Sequence, residues 1–303
     1  MSDQNSKVKP GHTLLSLCCV IMIAVWVWAL IPRPPVMSVT FLSVGQGDSA
    51  VLRTPSGKTV VIDCGPGPGN RNDFDAGAKV VTPFLIREGV NRIDALVLTH
   101  AHEDHIGGAV SVIRNFKIDT VFDPALAHPT GKYKEVLELI EQRGIKYRQI
   151  RRGYEIDFHD GVVIEVLNPP DSISSTNDDK ELNNTSIVLR VKFGKTAIMF
   201  AGDAEESAET RMLGECGDLT SQILKVGHHG SRQATSQEWL EAVQPEIAVI
   251  SVGWNNQFGH PSKETLKRLE SAGAKVFRTD KNGGITAVTN GRRISVSSVR
   301  KSR

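Results

Sequence analysis

Ten consecutive residues, Thr99-His100-Ala101-His102-Glu103-Asp104-His105-Ile106-Gly107-Gly108, constrain this chain more than any other stretch. Three histidines and Asp104 crowd together directly behind an apolar, strand-like run over 93–98. Imidazole and carboxylate are the ligands that suit zinc and similar divalent ions. Residues two apart in an extended segment point to the same side, so His100 and His102 are placed to chelate one ion while Asp104 and His105 turn toward a second. The sequence therefore predicts a strand that delivers one short loop to a two-metal centre. A solvated histidine-rich loop is the competing explanation, and it accounts for neither the strand before the motif nor the Gly-Gly after it.

Two later apolar runs end in similar chemistry. The first, over 195–199, leads into Gly202-Asp203 and then a helical stretch, so Asp203 is placed either to bridge two ions or to cap the helix. The second, over 222–226, ends in Gly227-His228-His229-Gly230-Ser231, where Gly230 lets backbone approach a ligand closely. His228 is expected as the ligand because it follows its strand as His100 follows its own, leaving His229 and Ser231 to face substrate. The opposite order of the two histidines stays open. Asn184, in the run Asn183-Asn184-Thr185-Ser186, is placed either to donate to substrate or to make an Asx turn. That run also fits the glycosylation acceptor pattern, which matters only in a eukaryotic secretory setting. His260, ahead of Pro261, either reaches the site or sits on an exposed loop.

Around these motifs the chain divides into an N-terminal flank (1–12), an apolar segment (13–31), a proline-rich linker (32–36) and a remainder (37–303). The 13–31 segment is almost wholly apolar and uncharged, close to the roughly 20 residues that cross a bilayer. It reads as one N-terminal transmembrane helix. Lys7 and Lys9 precede it and Arg33 follows, a positive-inside bias that would leave the remainder outside the cytoplasm, with Trp26 and Trp28 at the outer interface. A buried helix, or a signal peptide cut near Val27-Trp28-Ala29 to give a secreted protein, are the alternatives. Pro32, Pro34 and Pro35 cannot continue a helix and form a stiff exit.

From residue 37 the pattern becomes strands over 37–44, 48–54 and 59–64, a helix over 76–89, the 93–98 strand, and helices over 104–115 and 132–143. Strands follow over 147–150, 162–167, 186–193 and 195–201. The last third alternates helices over 204–213, 236–243 and 262–272 with strands over 222–226 and 247–252, then short strands to 299. Strand-rich and helix-alternating halves, each ending in ligand candidates, predict an α/β fold of two face-to-face sheets with helices outside. A formal net charge of +2 over 303 residues creates no global field that demands nucleic acid. The four cysteines form no Cys-x-x-Cys pair, which excludes a zinc ribbon or dithiol redox motif. The densest internal basic cluster is Arg143, Lys146, Arg148, Arg151 and Arg152 with Tyr147 and Tyr154. It reads as a solvated surface or as a grip on phosphate backbones and bases.

Taken together, these residues resemble the metallo-β-lactamase superfamily, whose Thr-His-x-His-x-Asp-His motif matches Thr99 to His105. Within it the likeness is to the hydrolase domain of the ComEC competence proteins. It is carried by Val44-Gly45-Gln46-Gly47-Asp48, Val61-Ile62-Asp63-Cys64-Gly65, Asn183 to Ser186, Gly202-Asp203, Lys225 to Ser231 and Phe258-Gly259-His260-Pro261. The resemblance implies an αββα sandwich with two divalent ions, zinc or manganese, at one edge of the sheets. Two departures stand out. His102 occupies a place where ComEC-type domains commonly carry aspartate, and Asn184 stands near the missing third-motif histidine. The multi-spanning channel of full-length competence proteins is not in this sequence, so this chain is not expected to translocate DNA itself.

The function expected from these residues is phosphodiester hydrolysis of DNA or nucleotides through a metal-bridging hydroxide. His100, His102, Asp104, His105, Asp203 and His228 would hold the ions. Asp104, His229 and His260 are the expected catalytic side chains, Asn184, Ser231 and His260 the substrate contacts, and Asp63 orients a ligand histidine from behind. Expected partners are the membrane, a DNA or other phosphodiester substrate, and a channel or uptake protein. Two alternatives remain: an extracytoplasmic hydrolase of small esters, lactams or envelope phosphodiesters such as phosphorylcholine groups, and a tethered binding module without catalysis.

Overall fold

The computed structural model describes residues 18–23, 26, 35–69, 73–126, 130–172 and 178–300. By its internal contacts the chain divides into Met1–Pro35 and Val36–Arg303, and the second unit holds everything that follows. The expected membrane segment at 13–31 lies largely outside the described residues, as do the flank at 1–12 and most of the linker. Among the described residues no helix is long and apolar enough to cross a membrane.

The first half builds a meander of β1 (Met37–Phe41), β2 (Ala50–Arg53) and β3 (Thr59–Ile62), then parallel strands β4 (Arg92–Val97), β5 (Lys117–Asp123) and β6 (Lys146–Gln149). The second half repeats that plan with antiparallel β7 (Glu155–Asp157), β8 (Val162–Asn168), β9 (Val188–Phe193) and β10 (Thr196–Phe200). Parallel β11 (Ile223–Lys225), β12 (Ile247–Ile250) and β13 (Lys275–Arg278) follow. The C-terminal hairpin of β14 (Ile285–Thr289) and β15 (Ile294–Ser298) returns to the first sheet beside β1. The result is an eight-stranded sheet ordered β15-β14-β1-β2-β3-β4-β5-β6 and a seven-stranded sheet ordered β13-β12-β11-β10-β9-β8-β7.

Strand alternation explains why the sheets stack. On β3, Val60 and Ile62 join Val97, Ile198 and Phe200 in one apolar core that draws on both sheets. Val61 points the other way and packs with Leu96, Val112, Ile113, Val136 and Ile140. That second core lies under α1 (Thr82–Arg87), α3 (Ala109–Asn115) and α4 (Gly131–Gln142). A third core joins Met199 and Leu224 to α6 (Glu206–Glu215), α7 (Gln237–Val243) and α8 (Lys263–Ser271) through Met212, Trp239 and Leu269. Three cores between four layers make the αββα sandwich.

Several elements differ from the sequence reading. β5, β7 and α5 (Asp179–Asn184) form where neither strand nor helix is expected. The expected helix over 104–115 is divided into α2 (Glu103–Ile106) and α3 by Gly107 and Gly108. A Cβ on Gly107 would overlap the Gly67 backbone, and one on Gly108 the Cys64 carbonyl, so two chain segments pass at backbone distance here. Gly77 abuts Gly108 in the same way, and the helix expected over 76–89 begins with a π-helical turn, Gly77–Val81.

The parallel registers place Ile62 beside Val97 and Val97 beside Phe122 in one sheet, and Phe200 beside Lys225 and Lys225 beside Val249 in the other. Their carboxyl ends therefore come out along a common edge, where open α/β sheets bind ligands.

Candidate metal centre

Asp63 follows β3 with a left-handed backbone, φ 56°, a conformation aspartate tolerates better than most residues. Its carboxylate accepts from Thr99 N at 2.8 Å, from Thr99 Oγ1 at 2.7 Å and from His105 Nδ1 at 2.7 Å. A carboxylate in this geometry accepts only, so His105 carries its proton on Nδ1 and turns Nε2 toward Asp203 Oδ1, 3.2 Å away. Both atoms are fully buried and neither has a hydrogen-bond partner. Buried polar atoms rarely stay unpaired, and a pair like this suits a cation.

His229 shows the same construction. Its Nδ1 donates to Ser251 O at 3.0 Å, so Nε2 points inward, 3.1 Å from Asp104 Oδ2 and 3.5 Å from Asp203 Oδ2. One donor atom from each of Asp104, His105, Asp203 and His229 fits within 4.8 Å of all the others. Beside this group His100 Nε2 and His102 Nδ1 approach to 3.0 Å, while His100 Nδ1 lies 3.1 Å from Thr99 Oγ1 and 3.3 Å from Ser186 Oγ. Two nitrogens on one tetrahedral zinc would stand about 3.3 Å apart, given Zn–N bonds of about 2.0 Å.

Charge follows this geometry. Burial alone would push the His229 imidazole down, but the Asp203 and Asp48 carboxylates and the bond to Asp104 outweigh it and hold it up at about 10. His105 is likewise raised well above the ordinary imidazole value, against its burial, by Asp203, Asp63 and Asp104. Asp203 goes the other way: burial would raise it, and His229, His105 and His228 pull it well below the carboxylate range. Burial and the neighbouring His105 and His102 push His100 well down. The donor types, the orphaned Nε2 and Oδ1 and the convergent geometry fit a two-metal site.

The sequence profile described as the metallo-beta-lactamase superfamily matches residues 42–254. The chain belongs to that superfamily. It is a metallo-hydrolase family, and curated relatives within it include ComE operon protein 3 of Bacillus subtilis, 32% identical over 278 residues that make up 89% of this chain and 35% of the relative. Competence protein ComA of Neisseria gonorrhoeae is 34% identical over 251 residues, 82% of this chain and 32% of the relative. The chain thus spans about a third of the length of these relatives. Among solved structures, Igni18, a metallo hydrolase from the archaeon Ignicoccus hospitalis, shares the fold with a TM-score of 0.52, 19% identity and coverage of 82% of this chain and 98% of that one.

Within this metallo-β-lactamase fold the structure gathers three of the six expected ligands, Asp104, His105 and Asp203, in one group, with the His100 and His102 rings beside it. His228 was expected as the ligand after β11; His229 instead joins Asp104, His105 and Asp203. Both histidines adopt left-handed backbones, φ 43° and 53°, and the tight turn carries the second inward: His229 is buried and His228 partly exposed. His228 faces the site from its rim, with Nδ1 on Glu205 Oε1 at 2.9 Å and Nε2 3.8 Å from Asp203 Oδ2.

Asp203 lies between the histidines and does not cap α6. That task falls to Asn184, whose carboxamide oxygen accepts from Glu205 N at 3.2 Å and Ala208 N at 3.3 Å. The buried Ser231 hydroxyl accepts from Gln233 N within its own turn. His260 packs edge-on against His228 at 5.7 Å, and burial with His228 and His229 nearby pushes it down to about 4. In the basic cluster, Arg152 pairs with Glu215 and Arg151 donates to backbone carbonyls, so both are tied within the fold.

Two residues that the sequence reading passed over complete the site. Asp48 ion-pairs with buried Lys225 and lies 3.4 Å from His229 Nδ1, while Lys225 Nζ donates to Gly202 O at 2.9 Å. Their signal is a charged residue beside or within a strand: Asp48 between the Gly45-Gln46-Gly47 turn and β2, and Lys225 in the otherwise apolar Leu224-Lys225-Val226.

Proposed function

We propose that this chain is a metal-dependent phosphodiesterase that cleaves DNA or nucleotides. The observation that carries the reading is the buried group around His105 Nε2 and Asp203 Oδ1, set beside a cavity of about 560 Å³ whose wall includes Asp104. Two divalent ions held there would lower the pKa of a water and offset charge developing on the transferred phosphoryl group. The remaining work belongs to the chain. Asp63, Glu205 and the Ser251 carbonyl fix the Nδ1 protons of His105, His228 and His229 and so aim each Nε2 inward. His228, partly exposed at the rim, is the side chain placed to take the attacking water's proton on Nε2 and pass it to the leaving oxygen. His260, held down to about 4, is neutral at physiological pH and contacts a phosphate oxygen as an N–H donor.

DNA as substrate is supported by likeness to competence proteins over most of the chain. We further read residues 13–31 as an anchor that leaves 37–303 outside the cytoplasm, beside a channel or uptake protein. Alkaline extraction of membranes would release the chain if that is wrong.

The test is turnover by the full chain, reconstituted with zinc or manganese, of bis-p-nitrophenyl phosphate, DNA, a lactam and a simple ester. Phosphodiesters should be cleaved, and Asp203→Asn should abolish it. Turnover of lactam or ester with none of phosphodiester would overturn the reading.

A further inference from the structure

The loop after β12, residues 251–262, spends two aromatic side chains on solvent. Trp254 is 78% exposed and Phe258 59%. Phe258 is not a stray surface ring. It stacks on His260 at 5.8 Å with the planes 19° apart, His260 meets His228 edge-on at 5.7 Å, and His228 Nε2 is 3.8 Å from Asp203 Oδ2. A row of three rings thus leads from solvent to the ligand group.

The loop is held in place. The Asn256 side chain donates to Gly253 O at 3.1 Å and His260 O at 2.7 Å and accepts from His260 N at 3.0 Å. Gly253 N in turn donates to Gln46 Oε1 at 3.1 Å, and a Cβ on Gly253 would lie 2.7 Å from Gln46 N, so the loop is seated against the Gly45-Gln46-Gly47 turn.

Phe258 and Asp104 share the walls of the cavity of about 560 Å³, a volume in the range of small-ligand sites. Gln46 and Gln257 add carboxamides to the wall, and Gly45, Gly67 and Gly69 leave it without bulk. Among the described residues that line it, the only charged side chains are Glu103 and Asp104. The residues that line it offer a phosphate no cationic partner. What fits is a flat, uncharged group with polar edges, attached to a phosphate that sits at the ligand group.

We propose that Phe258, backed by His260, is a stacking platform for a nucleobase next to the scissile phosphate of single-stranded DNA. The inference rests on the phosphodiesterase reading and adds the subsite that would read the substrate. Single strands are implied because bases in a duplex already stack on each other and offer no free face, whereas a single strand presents each base to an aromatic ring. Phe258 is then a binding residue, and Trp254, which lies on the same loop but not in the cavity wall, is its natural control.

The experiment compares a single-stranded oligodeoxynucleotide with the same oligomer carrying abasic tetrahydrofuran units, using the full metal-loaded chain. Cleavage is measured by KM and kcat, binding by fluorescence anisotropy. Stacking is worth roughly 5- to 150-fold in affinity for one base. Phe258→Ala should weaken binding and raise KM for the base-bearing oligomer within that range, leave the abasic oligomer nearly unchanged, and be rescued by Phe258→Trp. Trp254→Ala should change neither. If the wild type cleaves both oligomers equally, or Phe258→Ala affects both alike, the platform is refuted and the phosphodiesterase reading stands. Binding through Phe258 without cleavage would leave the platform standing and refute the phosphodiesterase reading. Neither binding nor cleavage of any oligomer would remove both.

Discussion

Replacing Asp63 by asparagine tests the construction of the metal centre with almost no change of shape. The carboxylate accepts three hydrogen bonds, one on Oδ1 from Thr99 N and two on Oδ2 from Thr99 Oγ1 and His105 Nδ1. A carboxamide has one oxygen. In its better orientation that oxygen keeps the two bonds on the Oδ2 side and the new NH2 faces the Thr99 N–H, leaving one buried donor opposed by another. Hydrogen bonds to a charged group are worth about 1.5–3 kcal/mol each, so the variant should lose about that much stability. For a domain of this size each kcal/mol corresponds to about 2–4 °C, giving a melting temperature about 3–12 °C lower for the metal-free protein. Loss of the carboxylate behind His105 also makes Nε2 a poorer ligand, and such changes typically weaken metal binding about 10- to 100-fold. Competition against a chromophoric chelator measures the affinity, and scanning fluorimetry the melting temperature. A variant that binds zinc as tightly as the wild type and melts at the same temperature would refute the role given to Asp63.

Three further outcomes are expected. Metal analysis should find an ion lost from His229→Ala, whereas His228→Ala should keep its ions and lose turnover; the reverse pattern would mean that the turn after β11 seats its histidines the other way. Lys225→Met strands the buried Asp48 carboxylate, so denaturant titration should show a loss of about 3–5 kcal/mol, and a neutral result would count against the buried pair. In the metal-free protein His229 titrates at about 10 when folded against about 6.5 when unfolded. Its contribution to stability is therefore full below about pH 6.5 and lost as pH rises through about 10. Asp104 and Asp203 are depressed, so their contribution is present above about pH 3.9 and lost as pH falls toward their folded values. Stability measured against pH should peak between those limits, and His229→Ala should flatten the alkaline side; an unchanged alkaline limb would contradict the charge state assigned to His229.

Much of the centre is legible in the sequence because its ligands are local to strand ends. His100, His102, Asp104 and His105 follow one apolar run and Asp203 another, and a side chain just past the end of a buried strand has few places to go but the edge of the sheet. The two-sheet α/β architecture is legible for a similar reason, since apolar alternation and helical spacing are properties of short windows. β5 escapes that reading: in Lys-Ile-Asp-Thr-Val-Phe-Asp the polar residues break the alternation, and the segment is a strand only because β4 and β6 flank it. The split between α2 and α3 is hidden for another reason. Gly107 and Gly108 fall inside the expected 104–115 helix, and what divides it there is close packing against Gly67 and Cys64, some forty residues earlier.

By itself the sequence determined which residues are chemically able to hold divalent ions and that strands would carry them to one place. The tertiary structure alone decided which histidine of the adjacent pair turns inward, because that depends on two successive left-handed residues between β11 and Ser231. It also decided that Asn184 caps α6, that Asp48 and Lys225 meet under the site, and that Phe258 shares a cavity with Asp104. The physical reason is common to all of these. Ligand identity resides in single side chains, whereas direction, partner and exposure are set by contacts between residues some 20 to 180 positions apart, and only packing brings those together.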